Sequence, residues 1–141
     1  MQTEINKVVI SAGLLIIQDN KILLEHPTNH RWHDSYSIPK GELKEGEDIF
    51  ECALRETQEE LGILLDRNKL ISSGPEFISY VKDVIGEYKR VYYFVCHYPE
   101  VIEIDMTKLQ LEEVDWAGFL TKEEAESRIF WRQKDVLKYL K

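Results

Sequence analysis

The stretch "GELKEGEDIFECALRETQEELGI", Gly41 to Ile63, decides how this chain is read. Asp48 and Glu51 stand at capping-box spacing and Gly62 fits a C-terminal cap, so a helix is predicted from about Asp48 to Leu61. Phe50, Ala53, Leu54, Thr57 and Leu61 recur at helical spacing and form the face that packs. Glu56, Glu59 and Glu60 lie away from it, within an arc of roughly 100°. Glu56 and Glu60 are a like-charge pair one turn apart, worth about 0.3 kcal/mol of destabilisation, and Arg55 lies off to one side. Such a helix packs with one side and presents acid with another.

On either side of this helix the chain alternates between extended runs and turn chemistry. Val8 to Ile17 is β-prone, Asp19-Asn20 is a turn, and Lys21 to Glu25 returns as a second strand, so a hairpin comes first. His26 to Ser35 reads as an irregular loop, and "YSIPKG" as a short extended piece because Pro39 keeps Ile38 out of helical geometry. After the helix, Glu76 to Val84 and Tyr88 to Tyr98 predict a second hairpin turning near Gly86. Within it "VYYFVC" is apolar throughout, as in a strand covered on both faces. A strand at Trp116 to Leu120, a short helix capped by Thr121 and Glu124, and an amphipathic helix from Ile129 to Leu140 complete the order. The mixture lacks strict alternation, which indicates an α/β fold with a mixed sheet and helices on its faces.

Composition sets limits on function. The 141 residues, 43% hydrophobic, suffice for one core, and a single domain over residues 1–141 is expected. The longest apolar run, Val8 to Ile17, is far short of the about 20 residues needed to cross a bilayer, and "MQTEINK" has no signal-peptide pattern, so a soluble cytoplasmic protein is expected. Cys52 and Cys96 have neither CxxC spacing nor a disulfide framework and read as reduced, buried thiols. A formal charge of −8 argues against a nonspecific nucleic-acid surface. A polyanionic ligand would need a cation to mediate. The loop contains His26, His30 and His33, and the spacing of the last two suggests a metal site, but no third ligand is evident beside them, so zinc is not expected.

Gly41, Glu47, Arg55, Glu56, Glu59, Glu60, Gly62 and Ile63 match the pattern G-x5-E-x7-R-E-U-x-E-E-x-G-U, with U a bulky aliphatic residue, and depart from it only where Thr57 takes the first U. In these residues the chain strongly resembles the Nudix hydrolases. The resemblance implies an α/β/α sandwich around a mixed sheet, and cleavage of a nucleoside diphosphate linked to another group with Mg²⁺ or Mn²⁺. That chemistry suits the residues, since hard divalent ions prefer carboxylate oxygens and bridge to substrate phosphates. It further implies Glu56, Glu59 and Glu60 as metal ligands, joined by a backbone carbonyl at the Lys40-Gly41 turn. One of the glutamates, Glu59 first, would instead orient or deprotonate the attacking water; members of the family differ in where this base lies. Arg55 and Glu47 would clamp loop to helix. A further acid often precedes a late tryptophan in the family; here Gln110 takes its place before Trp116, leaving Glu112 and Glu113 as candidates.

"PKG" (Pro39 to Gly41), the run from Gly46 to Ile63 and Tyr80 look most like the diadenosine polyphosphate hydrolases. On that likeness Tyr80 would stack on adenine and Lys89 would reach phosphates, with Lys40 and Arg31 as weaker phosphate candidates. Tyr36 stands where relatives have tryptophan, and Trp32 is nearby. The expectation is a Mg²⁺-dependent pyrophosphohydrolase, monomer or homodimer, acting on a small-molecule nucleotide and releasing ATP and AMP from diadenosine tetraphosphate. Alternatives are a nucleoside triphosphate, ADP-ribose or a 5′-triphosphorylated RNA end as substrate, or a nucleotide-sensing module that does not cut.

Overall fold

The computed structural model describes residues 7–81 and 87–141. The start "MQTEINK" therefore lies almost wholly outside the described residues, as does the expected turn near Gly86. Six strands form the sheet: β1 Lys7–Gln18, β2 Lys21–Pro27, β3 Lys40–Glu42, β4 Ile71–Val81, β5 Glu87–His97 and β6 Val114–Leu120. Their order is β4-β5-β1-β2-β6, with β3 pairing β1. β1 and β5 run parallel from Lys7↔Glu87 to Ile16↔Cys96, and the other pairings are antiparallel, so the sheet is mixed as expected.

One irregularity in this sheet makes the site. β1 and β2 pair only beside their turn, at Ile17↔Ile22 and Gln18↔Lys21. Beyond that they diverge, and the segment after the loop fills the gap: β3 pairs with β1 at Ser11↔Glu42 and Gly13↔Lys40, while Ser37 bridges to Glu25 on β2. The split opens one end of the sheet between its central strands.

Helix α1, Ile49–Leu61, lies on one face. Asp48 caps its start by accepting from Phe50 N at 3.0 Å and Glu51 N at 3.3 Å, and Gly62 ends it at φ 63°, a left-handed position that glycine takes without strain. Glu51 turns toward Arg67 in an ion pair. On this face Ala12, Leu14, Ile16, Phe94 and Cys96 pack against Ala53, Leu54 and Leu61. On the other face Leu15, Ile17, Ile22, Leu24 and Val95 pack against Ala125, Ile129, Val136 and Leu137. Leu14, Leu15 and Ile16 are buried in succession because β1 is covered on both sides, each such side chain contributing about 1.5–3 kcal/mol. Helices on both faces of a mixed sheet give the α/β/α arrangement. Among the described residues no helix is long and apolar enough to cross a membrane, and both cysteines are buried and free.

Three boundaries differ from expectation. β4 begins at Ile71, since Pro75 is tolerated on an edge strand at a bulge between Ser73 and Glu76. β6 begins at Val114, before the tryptophan. The last segment is a 3₁₀ helix, Trp131–Tyr139, in place of the amphipathic α-helix; only α2, Lys122–Glu126, with its Thr121/Glu124 capping box, is α-helical in that region. A three-residue period places Phe130, Gln133 and Val136 in one row toward the sheet. Gln133 uses that position to accept from Ile38 N at 3.1 Å and to donate to Ser37 Oγ at 3.0 Å.

Candidate active site

A cavity of about 1000 Å³ occupies the split end of the sheet. It is lined by Glu56, Glu59 and Glu60 of α1, Lys40 and Gly41 of β3 and Glu25 of β2, together with Tyr80, Lys89 and Phe130; along β1, Lys89 registers at Val9, whereas Gly41 and Lys40 register at Ala12 and Gly13. The helix presents its acids there because its apolar side packs on β1, while Glu56 and Glu60 lie against β3.

The three glutamates are not equivalent. Glu59 is half exposed, and Glu56 is 17% exposed at its side chain. Glu60, which the helical pattern sets away from the packing face, is nonetheless buried at 6% and belongs to the inner wall. Its Oε1 accepts from Lys40 N at 3.2 Å, and its backbone carbonyl accepts from Gln110 N at 3.0 Å. Burial, reinforced by the Glu56 charge, lifts its carboxyl to about 7.

Arg55 is more central than its sequence position suggested. Its Nε and Nη2 hold Glu47, at 2.7 and 2.9 Å, and its Nη1 donates to Glu56 at 2.8 Å and Glu59 at 3.2 Å. Two of the three glutamates are thus held by one guanidinium, and Glu60 is left out. Gly41 lies directly against Glu56; a Cβ at this position would overlap the Glu56 carboxylate. The Gly41 carbonyl itself receives the Cys52 thiol at 3.5 Å.

The remaining sequence candidates divide. Glu113 lines the cavity, as does Gln110, whereas Glu112 does not. Arg31 lines it while pairing with Asp34 at 2.8 Å. Tyr80, Lys89 and Val9 form one row across three strands, by the pairings Tyr80↔Lys89 and Val9↔Lys89, and all three face the cavity. Phe130 meets Tyr80 edge-on with centroids 5.7 Å apart. Trp32 stacks on His26 at 3.5 Å, and His26 is buried with its nitrogens engaged by Asp115 at 2.5 Å and the Arg31 carbonyl at 2.9 Å. His26 therefore lies in β2, paired with Trp116, rather than in the expected loop from His26 to Ser35, and is a structural residue that holds the loop through Trp32 and the Arg31 carbonyl.

Sequence reasoning missed Glu25 and Phe130. Glu25 ended an apolar strand run and read as its polar terminus. Only a carboxylate where strand alternation demands an inward side chain could have marked it.

A model of the NUDIX domain matches residues 7–140, and the chain belongs to the Nudix family. It is 28% identical over 106 residues to the mRNA-decapping protein g5R of African swine fever virus (isolate Pig/Kenya/KEN-50/1950), covering 74% of this chain and 39% of that one. The chain spans less than half the length of the curated relatives it matches. Among solved structures, a C. elegans Ap4A hydrolase binary complex superposes with a TM-score of 0.68 at 24% identity, over 92% of this chain and 93% of that one. A MutT NUDIX hydrolase from Burkholderia pseudomallei superposes with a TM-score of 0.70 at 19% identity, over 94% and 98%. These likenesses carry the fold.

The donor set fits a hard divalent cation: clustered carboxylate oxygens, a backbone close by, and one buried carboxylate oxygen, Glu25 Oε1, with no hydrogen-bond partner. Among the described residues no three acidic, histidine or cysteine side chains are already gathered for a metal. Arg55 holds Glu56 and Glu59 in the arrangement seen here.

Proposed function

We propose that this Nudix domain, residues 1–141, is a Mg²⁺- or Mn²⁺-dependent hydrolase of a nucleoside diphosphate joined to a second group, and that its substrate is a dinucleoside polyphosphate such as diadenosine tetraphosphate, cleaved to ATP and AMP. The observation that carries this reading is one cavity lined both by the glutamates of α1 and by the Tyr80–Lys89 row, which registers on β1 at Val9 while Lys40 and Gly41 register at Gly13 and Ala12. A nucleoside polyphosphate has the matching polarity, with an aromatic base at one end and anionic phosphates toward the other.

Each residue has a part. Glu56, Glu59 and Glu60 would hold the cation, which when bound polarises a phosphate and offsets its charge. Lys89, Lys40 and Arg31 meet phosphate oxygens as cations lining or bordering the cavity. Tyr80, backed by Phe130, offers a ring face to the base. Glu59, the most exposed of the three glutamates, orients or deprotonates water. That water attacks phosphorus, the bond to the bridging oxygen breaks, and the departing phosphate takes up the electron pair.

A second substrate, an RNA 5′ end, draws support from the decapping relative. The formal charge of −8 counts against an extended RNA track. The test is incubation with Mg²⁺ in ¹⁸O-labelled water across a panel of dinucleoside polyphosphates, ADP-ribose, nucleoside triphosphates and 5′-triphosphorylated RNA, with products identified by mass spectrometry. The expected result is labelled ATP or AMP from diadenosine tetraphosphate at the highest kcat/KM. No product from any substrate would favour a sensing module.

A further inference from the structure

Glu25 is a buried acid that neither the helix pattern nor the loop chemistry uses. It follows Ile22, Leu23 and Leu24, which are fully buried, and it is itself only 5% exposed. The backbone cannot turn it out. Glu25 N donates to the Ser37 carbonyl at 2.8 Å, Ser37 N donates back at 2.9 Å, and on the other edge Glu25 pairs with Ala117 of β6. An ionised carboxylate in such a place is held by donors or by a cation, because the desolvation is otherwise worth several kcal/mol.

Protein donors are not what Glu25 has. Its Oε1 is buried with no hydrogen-bond partner, and the side chain meets another carboxyl, that of Glu60. The charged groups acting on it are Glu60 and Glu56, both of like sign, and Lys40, whose charge is opposite. Burial, then Glu60, raises the Glu25 carboxyl well above the ordinary carboxylate range. Both carboxyls line the cavity. Two acids from different elements, β2 and α1, meet at the point where the sheet splits, with an unpartnered oxygen in the same cavity.

We propose that Glu25 is a ligand of the divalent cation, adding a strand-borne carboxylate to the helix-borne donors, with Glu60 as its immediate partner in the coordination. This rests on the cation-dependent reading above. Arg55 holds Glu56 and Glu59 but not Glu60, so Glu25 and Glu60 are the inner pair around which the ion is first held. The pairing of Glu25 with Ser37, in the gap between β1 and β2, also makes the site depend on that split.

Calorimetric titration with Mn²⁺, supported by the Mn²⁺ electron paramagnetic resonance signal, tests this on wild type, Glu25→Gln and Glu25→Met. Wild type is expected to bind Mn²⁺, and both variants to bind at least tenfold more weakly or to lose one bound ion. In thermal melts without metal, both variants are expected to equal or exceed wild type, since each removes a buried acid that faces Glu60 and leaves one oxygen without a partner, and Mn²⁺ is expected to raise their Tm less. If wild type binds and the variants bind with the same affinity and stoichiometry, the assignment of Glu25 is overturned while the cation-dependent reading stands. Variants that lose stability without metal yet keep their Mn²⁺ affinity overturn it equally. If wild type takes up no Mn²⁺, the cation-dependent reading falls, and this inference with it.

Discussion

Arg55 and Glu47 meet fork to fork, Nε donating to Oε2 at 2.7 Å and Nη2 to Oε1 at 2.9 Å. Glu47 belongs to the loop before α1 and Arg55 to the middle of the helix, so this pair fixes the loop on the helix. The Arg55 hydrogen bond is the main reason the Glu47 carboxyl is held down to about 2 from an ordinary 4.5. A folded-state value below the unfolded one means that the stabilisation is complete above about pH 4.5 and is lost as pH falls toward 2. Glu47→Gln is therefore expected to destabilise by about 2 kcal/mol at pH 7. Denaturant melts of both proteins should show the gap narrowing steadily below pH 4.5. A gap independent of pH would mean that the charge of Glu47 is not what matters.

Gly41 is placed where only hydrogen fits beside Glu56. Gly41→Ala must push the Glu56 carboxylate away from β3, and Glu56 is a proposed cation ligand. Mn²⁺ affinity and kcat/KM are each expected to fall more than tenfold, while the melting temperature moves by only a few degrees. Calorimetry and a melt on the same preparation separate the two effects.

The parts of this molecule readable from sequence are those governed by local spacing. Asp48 and Gly62 bound α1 because capping needs only near neighbours, and the Glu47–Arg55 link is implied by the resemblance to the Nudix hydrolases. What escaped depends on distant segments. Glu25 becomes part of the acid wall only because β1 and β2 separate and Ser37 enters between them. Phe130 reaches Tyr80 because its backbone N–H donates to the distant Tyr36 carbonyl at 2.8 Å, just ahead of a 3₁₀ segment that Gln133 ties to Ser37 and Ile38. Arg55 looked peripheral in a helical projection because its long side chain reaches past the face on which its Cα sits.

Gln133 separates stability from chemistry. It is 1% exposed, and its amide satisfies the Ile38 N–H and the Ser37 hydroxyl on the segment that carries β3 into the split. Gln133→Leu keeps the volume but leaves the buried Ile38 N–H without its acceptor, so a loss of about 1–3 kcal/mol is expected in urea unfolding. Gln133→Glu restores an acceptor and should recover part of that loss. Recovery absent in Gln133→Glu would show that packing, not hydrogen bonding, holds the 3₁₀ segment.

Tyr80 tests base recognition most directly. Its ring lines the cavity beside Phe130, and the row it shares with Lys89 sets base and phosphate contacts on neighbouring strands. An aromatic stack on a base is worth about 1–3 kcal/mol, so Tyr80→Ala should lower kcat/KM for diadenosine tetraphosphate by roughly tenfold or more. The loss should fall mainly on KM, because a base stack acts on binding in ground and transition states alike. Tyr80→Phe keeps the ring and is expected to stay within about twofold of wild type. The same substitutions should leave Mn²⁺ affinity in the absence of nucleotide unchanged, since Tyr80 registers with Lys89 and Val9, whereas Glu60 meets Lys40, which registers at Gly13 further along β1. An unchanged kcat/KM in Tyr80→Ala would place the base elsewhere, with the exposed face of Trp32 as the next aromatic surface to test.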